Sequence, residues 1–152
     1  MFTGLHQNLL DDKGRIAFPA AFRAELAEAE GTDRFVLTAS FNDPCLEAMT
    51  EAAFYEKAKK VQSLPASNRA VLAFKRVVIA HAQVVTIDKA GRVSIPKELR
   101  EYAGLEREAV WAGVIDKIEL WSKPKLDAVN AQRLHEPEML AEFQRYFESE
   151  GL

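Results

Sequence analysis

Two stretches of this chain carry the same side chains at the same spacing: Asp11, Gly14 and Arg15, and 77 residues later Asp88, Gly91 and Arg92. An aspartate four residues before an arginine, with a glycine between them, can do two kinds of chemistry. The carboxylate can accept backbone N–H groups across a tight turn and clamp the arginine as a structural staple. Alternatively, the planar guanidinium fork is held ready for phosphate or for the edge of guanine. Both readings fit the residue types, and both stay open on this spacing alone.

The repeat extends beyond these residues. Asp11 to Arg23 aligns without gaps on Asp88 to Arg100. Pro19/Pro96 and the closing Arg23/Arg100 are identical; Ile16/Val93, Phe18/Ile95 and Phe22/Leu99 exchange one apolar side chain for another. Such an internal repeat means two copies of one small unit. Further cations surround both copies: Lys13 and Lys89 in the turns, Lys97 at a helix start, Arg23 and Arg100 next to apolar helix positions. With Arg15 and Arg92 they form a candidate nucleic-acid footprint, diluted by Asp12, Glu25, Glu98 and Glu101. Taken singly, Arg23 or Arg100 could do no more than solvate its helix.

The elements that must position these groups follow from periodicity and punctuation. In the first copy Leu5–Leu10 reads as a strand, Asp11–Gly14 as a turn, and Arg15–Phe18 as a strand that turns Ile16 and Phe18 to one face and Arg15 to the other. Pro19 suits the first position of a helix, which then buries Phe22 and Leu26. Strands at Phe35–Thr38 and Cys45–Ala48 and a Thr50-capped helix to Val61 complete this unit. Ser63–Ser67 reads as a linker, with Ser67 capping a short helix from Asn68 to about Lys75. The second copy repeats the order: strands at Ala82–Ile87 and Arg92–Ile95, a helix opened by Pro96 and closed by Gly104, and a hairpin of Val110–Val114 with Ile118–Trp121. Helical residues follow from Lys123-Pro124, interrupted at Pro137, with Met139, Leu140, Phe143 and Phe147 on one apolar face. The expected division is 1–62, 63–80, 81–123 and 124–152: first repeat with its following helix, basic linker, second repeat, acidic helical region. The fold class is α+β and rich in β, with helices at the periphery.

Units of this size bury little surface alone, so the two copies should pack together or exchange elements. The formal net charge of -3 hides strong asymmetry. Residues 56–77 carry Lys57, Lys59, Lys60, Arg69, Lys75 and Arg76 against Glu56 alone; residues 127–152 carry six acids against Arg133 and Arg145. The apolar runs are short and the N-terminal residues lack a signal-peptide pattern, so a cytoplasmic protein without a membrane span is expected. His6, His81 and His135 are scattered, Cys45 reads as a buried thiol, and Trp111 and Trp121 read as core or subunit contacts. No metal, cofactor, small-molecule substrate or catalytic pair is expected from these residues.

The phrase Asp88–Arg100 resembles the AbrB-type swapped-hairpin DNA-binding domain, and two such phrases in one chain resemble the MraZ family of transcriptional regulators. The start Met1-Phe2-x-Gly4, both Asp-x-x-x-Arg motifs, Leu99-Arg100-x-Tyr102-Ala103-Gly104-Leu105 and Glu119-Leu120-Trp121 carry the resemblance. It implies two AbrB-like repeats in a pseudo-symmetric swapped-hairpin barrel. It also implies a ring-shaped homo-oligomer, associated with the nucleoid, that binds short direct repeats in the promoter of the division and cell-wall gene cluster. Arg15 and Arg92 match the motif arginines, and Asp11 and Asp88 the acids that orient them. Departures from the wider AbrB pattern at Asn8, Val85, Ala24 and Glu101 lower the charge of each module. A protein-binding barrel, antitoxin-like or adaptor-docking, is the alternative from another class. A small barrel enzyme is a weaker one, since no nucleophile–base pair is visible.

Overall fold

The turns come first, because they decide where the strands go. Gly14 and Gly91 take positive φ, 78° and 77°, a region that a residue without Cβ enters at little cost. Each reversal leads into a three-residue strand. In the computed structural model, which describes residues 1–152, these strands, β2 (Arg15–Ala17) and β6 (Arg92–Ser94), do not return to their own halves. They pair antiparallel with each other, with Ile16 opposite Val93. Phe18 N–H donates to Gly91 O at 2.9 Å and Ile95 N–H to Gly14 O at 2.8 Å, so each chain segment leaves the ribbon held by the other copy's turn.

The remaining strands form one antiparallel sheet: β1 (Phe2–Leu9), β3 (Arg34–Ala39), β4 (Leu46–Met49), β5 (Gln83–Thr86), β7 (Glu108–Ile115) and β8 (Ile118–Ser122). Their spatial order is β1-β7-β8-β4-β3-β5. Exchanging the two halves reverses this order onto itself, so the duplication appears as a pseudo-twofold axis passing between β8 and β4. Neither half owns a sheet: β1 of the first pairs with β7 of the second, and β3 of the first with β5 of the second. The expected pseudo-symmetric fold of two swapped-hairpin repeats is present, and its barrel is not closed: β1 and β5 stand at the edges of the sheet, beside the separate β2–β6 ribbon.

The core lies between ribbon and sheet. Ile16, Phe18, Val93 and Ile95 are buried as their period-two pattern requires, together with Phe22, Leu99, Phe35, Leu37, Leu46 and Leu120. Trp111 is fully buried, packs edge-on against Phe18, and its Nε1–H donates to Ala17 O at 3.0 Å. It thus ties the ribbon to the sheet, and truncating such an aromatic costs roughly 3–5 kcal/mol. The helices α1 (Ala20–Glu30) and α4 (Lys97–Ala103) follow Pro19 and Pro96 and end at Gly31 and Gly104 in left-handed conformation. No helix is long and apolar enough to cross a membrane.

Elsewhere the boundaries move. Thr50 caps α2 (Glu51–Gln62) as expected, through Ala53 N–H at 3.0 Å. At α3 (Arg69–Phe74) the cap is Asn68, whose Oδ1 accepts from Ala70 and Val71, and not Ser67. That helix runs on through a π-helical turn, Lys75–Ile79. Cys45 precedes β4 and does not lie within it. Pro137 begins α6 (Pro137–Phe147) after the break that ends α5 (Lys123–Arg133), since proline at N1 loses no helical hydrogen bond.

Candidate functional site

The Asp-x-x-x-Arg turns can now be built atom by atom. Asp11 Oδ1 accepts the backbone N–H groups of Lys13 and Arg15, each at 2.9 Å, and Oδ2 accepts Arg15 Nε–H at 2.7 Å. Asp88 does the same: Oδ1 takes Ala90 and Arg92 N–H at 2.9 Å, and Oδ2 takes Arg92 Nε–H at 3.3 Å. The Arg15 backbone N–H, aided by its side chain and by Lys13, holds the Asp11 carboxyl below the usual carboxylate range against a desolvation that would raise it. Asp88 is lowered in the same way, chiefly by the Arg92 backbone N–H.

The staple uses only Nε. The terminal nitrogens of Arg15 and Arg92 form no hydrogen bond within the chain, and their side chains are 32% and 40% exposed. The two chemistries posed by the sequence are therefore compatible. Each aspartate fixes one edge of the guanidinium and leaves the other edge as a fork of free donors. In the β2–β6 register Arg15 lies opposite Ser94 and Arg92 opposite Ala17, so both arginines stand on the ribbon face turned away from the buried Ile16 and Val93.

Arg23 and Arg100 do more than solvate helices. Each reaches the turn of the other repeat: Arg23 Nη1 lies 3.8 Å from where a Cβ on Gly91 would stand, and Arg100 Cζ 2.7 Å from a Cβ on Gly14. Equivalent in position, they differ in charge state of their surroundings. Arg23 is clamped by Asp33 through two bonds, Nε to Oδ1 at 3.0 Å and Nη2 to Oδ2 at 2.9 Å. That side-chain hydrogen bond raises Arg23 above the usual arginine value and lowers Asp33. Arg100 forms no ion pair, and its buried Nε has no partner at all.

The reason is a substitution hidden by loop length. Asp33 O accepts Ile87 N–H at 2.9 Å; the matching bond in the other half runs from Leu10 N–H to Arg107 O at 2.7 Å. Arg107 thus occupies the place of Asp33. Because α1 has 11 residues and α4 has 7, the offset of 77 does not hold here, and sequence reading missed both Asp33 and Arg107. Lys13 and Lys89 stand exposed in the turns without ion-pair partners, while Lys97 lies on α4 at 3.9 Å from Glu101. The end of the ribbon at the Asp11–Gly14 turn (hairpin 1, its counterpart at Asp88–Gly91 being hairpin 2) therefore has Lys13, Arg15 and Arg100 about it, with the Arg107 backbone bonded alongside at Leu10. The end at hairpin 2 has Lys89 and Arg92, with Arg23 already neutralised.

The other singled-out groups lie apart from this surface. His6 packs edge-on against Phe22 at 4.9 Å, His81 Nδ1 faces backbone carbonyls of Arg76 and Val77, and His135 is exposed. Cys45 is buried with Val110, Trp121 and Leu126, and that burial pushes its thiol far up. No group of three or more His, Cys, Asp or Glu side chains is arranged to hold a metal ion.

The model of a family described as "MraZ protein, putative antitoxin-like" matches residues 1–77 and again residues 78–148. Curated relatives carry the name "Transcriptional regulator MraZ". One from Desulforamulus reducens is 39% identical over 142 residues, covering 93% of this chain and 96% of its own. One from Acetivibrio thermocellus is 38% identical with 93% and 95% covered, and one from Thermomicrobium roseum is 44% identical with 88% and 89% covered.

Proposed function

The chain belongs to the MraZ family, and on that footing we propose that it is a DNA-binding transcriptional regulator. The observation that carries this reading is the pair of half-engaged arginines. Arg15 and Arg92 are stapled through Nε by Asp11 and Asp88, and their free nitrogens face outward from a two-stranded ribbon. A two-stranded β-ribbon fits the major groove, and an oriented guanidinium is suited to guanine O6 and N7 or to phosphate. Lys13, Lys89, Lys97 and Arg100 supply the surrounding phosphate contacts, while Arg23, paired with Asp33, holds the turn of the second copy in place. Hairpin 1 is the stronger reader, since Arg100 stands behind it with no acid to neutralise it.

A chain of net charge -3 offers few contacts per copy, and this points to an assembled state. In the proposed mechanism several copies form a ring and present their ribbons to short direct repeats in the promoter of the division and cell-wall gene cluster. Once one copy has bound, the others act at high effective concentration, which multiplies affinity by roughly 10²–10⁴ without new contacts. Residues 1–62 and 81–123 then carry the two hairpins, 63–80 joins them, and 124–152 serves assembly. A protein acting on promoter DNA in this way would stand in the cytoplasm, at the nucleoid.

The test is Arg15→Ala against DNA carrying tandem boxes. The variant should lose gel-shift binding while native mass and melting midpoint stay those of the parent. Binding retained at the same salt concentration would make Arg15 a staple only, and loss of oligomer together with fold would say the same.

A further inference from the structure

The helix α6 carries Met139, Leu140, Phe143 and Phe147 on one face, and every one of its residues is exposed, Leu140 and Phe143 by 53% and 55%. Phe143 and Phe147 stack on each other at 4.5 Å, and both remain exposed. A second apolar surface is likewise uncovered. Between the end of α2 and α3 runs a groove lined only by Phe41, Val61, Leu64, Ala70, Val71 and Phe74.

The charges around these two surfaces are opposite. Lys60, Arg69, Lys75 and Arg76 lie along the segment that forms the groove, and none of them has a carboxylate within ion-pair distance. The helix is flanked by Glu138, Glu142, Glu148 and Glu150, of which only Glu142 has a cation near it, Arg145 at 4.0 Å. The acids rule out DNA and anionic lipid as occupants of this helix face, since both would be repelled.

We propose that the acidic amphipathic helix α6 of one copy docks into the basic-rimmed apolar groove between α2 and α3 of the next copy. The inference rests on the ring-oligomer reading and gives it a contact. Helix and groove are different surfaces, so the contact is head-to-tail, the type that propagates around a ring and not the type that pairs two copies symmetrically. Amphipathic helices recognise grooves through an apolar stripe at three- and four-residue spacing; Met139, Phe143 and Phe147 recur every four residues, with Leu140 three before Phe143 on the same face. Flanking charges of opposite sign select the register and the partner.

The experiment co-expresses two differently tagged full-length chains, one carrying Leu64→Cys and the other Phe143→Cys. Both positions are about half exposed, and Cys45 is too buried to compete. Mild oxidation should join the two tags in one covalent species. In parallel, Phe143→Ser with Phe147→Ser should at least halve the native mass of the assembly with no change in melting midpoint. An uncrosslinked mixture, or an unchanged native mass for the serine variant, overturns the docking while leaving the ring intact. A double variant Leu64→Cys with Phe143→Cys that links only within its own chain overturns it in favour of a fold-back. A parent protein that is monomeric at micromolar concentration removes the ring reading itself, and the docking with it.

Discussion

Gly14→Ala and Gly91→Ala are equivalent substitutions by sequence and different ones by structure. Backbone φ is positive at both, 78° and 77°, so alanine costs about 1–2 kcal/mol at either for the left-handed conformation alone. In a chain of this size each kcal/mol lowers the melting midpoint by about 2–4 °C. The added methyl then meets different surroundings. At Gly91 its nearest neighbour is Arg23 Nη1 at 3.8 Å, an ordinary contact. At Gly14 it falls 2.7 Å from Arg100 Cζ and 2.8 Å from Nε, so the guanidinium must retreat by roughly 1 Å to regain van der Waals distance. Arg100 Nε has no hydrogen bond to lose, and the extra stability cost is therefore small. What is lost is the position of a free cation behind hairpin 1. If one phosphate contact goes with it, the slope of log K against log salt becomes shallower by about 0.9. Anisotropy titrations on tandem-box DNA across a salt series, with melting curves beside them, read both quantities. The two variants should melt together, and Gly14→Ala alone should lose affinity and slope. Equal affinities and equal slopes would refute the placing of Arg100 in the binding surface.

Three further outcomes test the framework. Asp11→Asn should be destabilising at neutral pH and nearly neutral in acid: a carboxyl held below its ordinary value stabilises above that value and loses its contribution as pH falls through the lowered one. A stability difference from the parent that stays constant from pH 7 to acid would contradict this. Lys117→Met should cost roughly 2 kcal/mol, because Glu47, buried, would lose bonds of 2.7 and 3.0 Å and keep only Lys57 at 4.0 Å. Burial alone would lower the Lys117 ammonium, but Glu47 overcomes it and raises it; the contribution should hold below the ordinary lysine value and fade as pH rises through the raised one, as urea midpoints in alkaline buffer can show. Gly113→Ala should cost about 1–3 kcal/mol, since its methyl would meet Thr3 N at 2.5 Å and Phe2 C at 2.6 Å, backbone that cannot step aside without opening the β1–β7 ladder. Hydrogen exchange should show the β1 amides losing protection first.

Much of the local structure was legible because its causes are local. Period-two alternation placed Ile16, Phe18, Val93 and Ile95 inward; prolines and glycines marked the starts and ends of α1 and α4. The pairing of β2 with β6 was not legible from alternation, which says which face is buried but nothing of the partner strand; only the resemblance to swapped hairpins supplied it. Ser67 and Asn68 are both capping residues, and their order of preference depends on which side chain reaches the first free N–H groups. Pro137 read as an interruption because proline marks a boundary without saying on which side the helix lies. At the site, the repeated phrase identified Asp11, Arg15, Asp88 and Arg92. It could not show that Nε alone is engaged, nor the contrast between Asp33 and Arg107, because gap-free alignment ends where the two helices differ in length.

That contrast bears on why the two units share a chain. In a dimer of identical chains, the swap would place each helix arginine against the partner's turn in two equal environments. An acid that neutralised one would neutralise both. Fusion of the copies lifts this constraint. The first half keeps Asp33 to hold Arg23 rigidly behind hairpin 2, which steadies the fold. The second half places Arg107 at the matching position, leaving Arg100 uncompensated behind hairpin 1. The swap then transfers the consequence: charge encoded in the second half modifies the turn encoded in the first. Introducing an acid by Arg107→Asp should make the two ends alike, pairing Arg100 as Arg23 is paired. In the proposed DNA complex such a variant should melt no lower than the parent yet bind more weakly. A duplicated chain can in this way divide one inherited arginine into a structural copy and a binding copy.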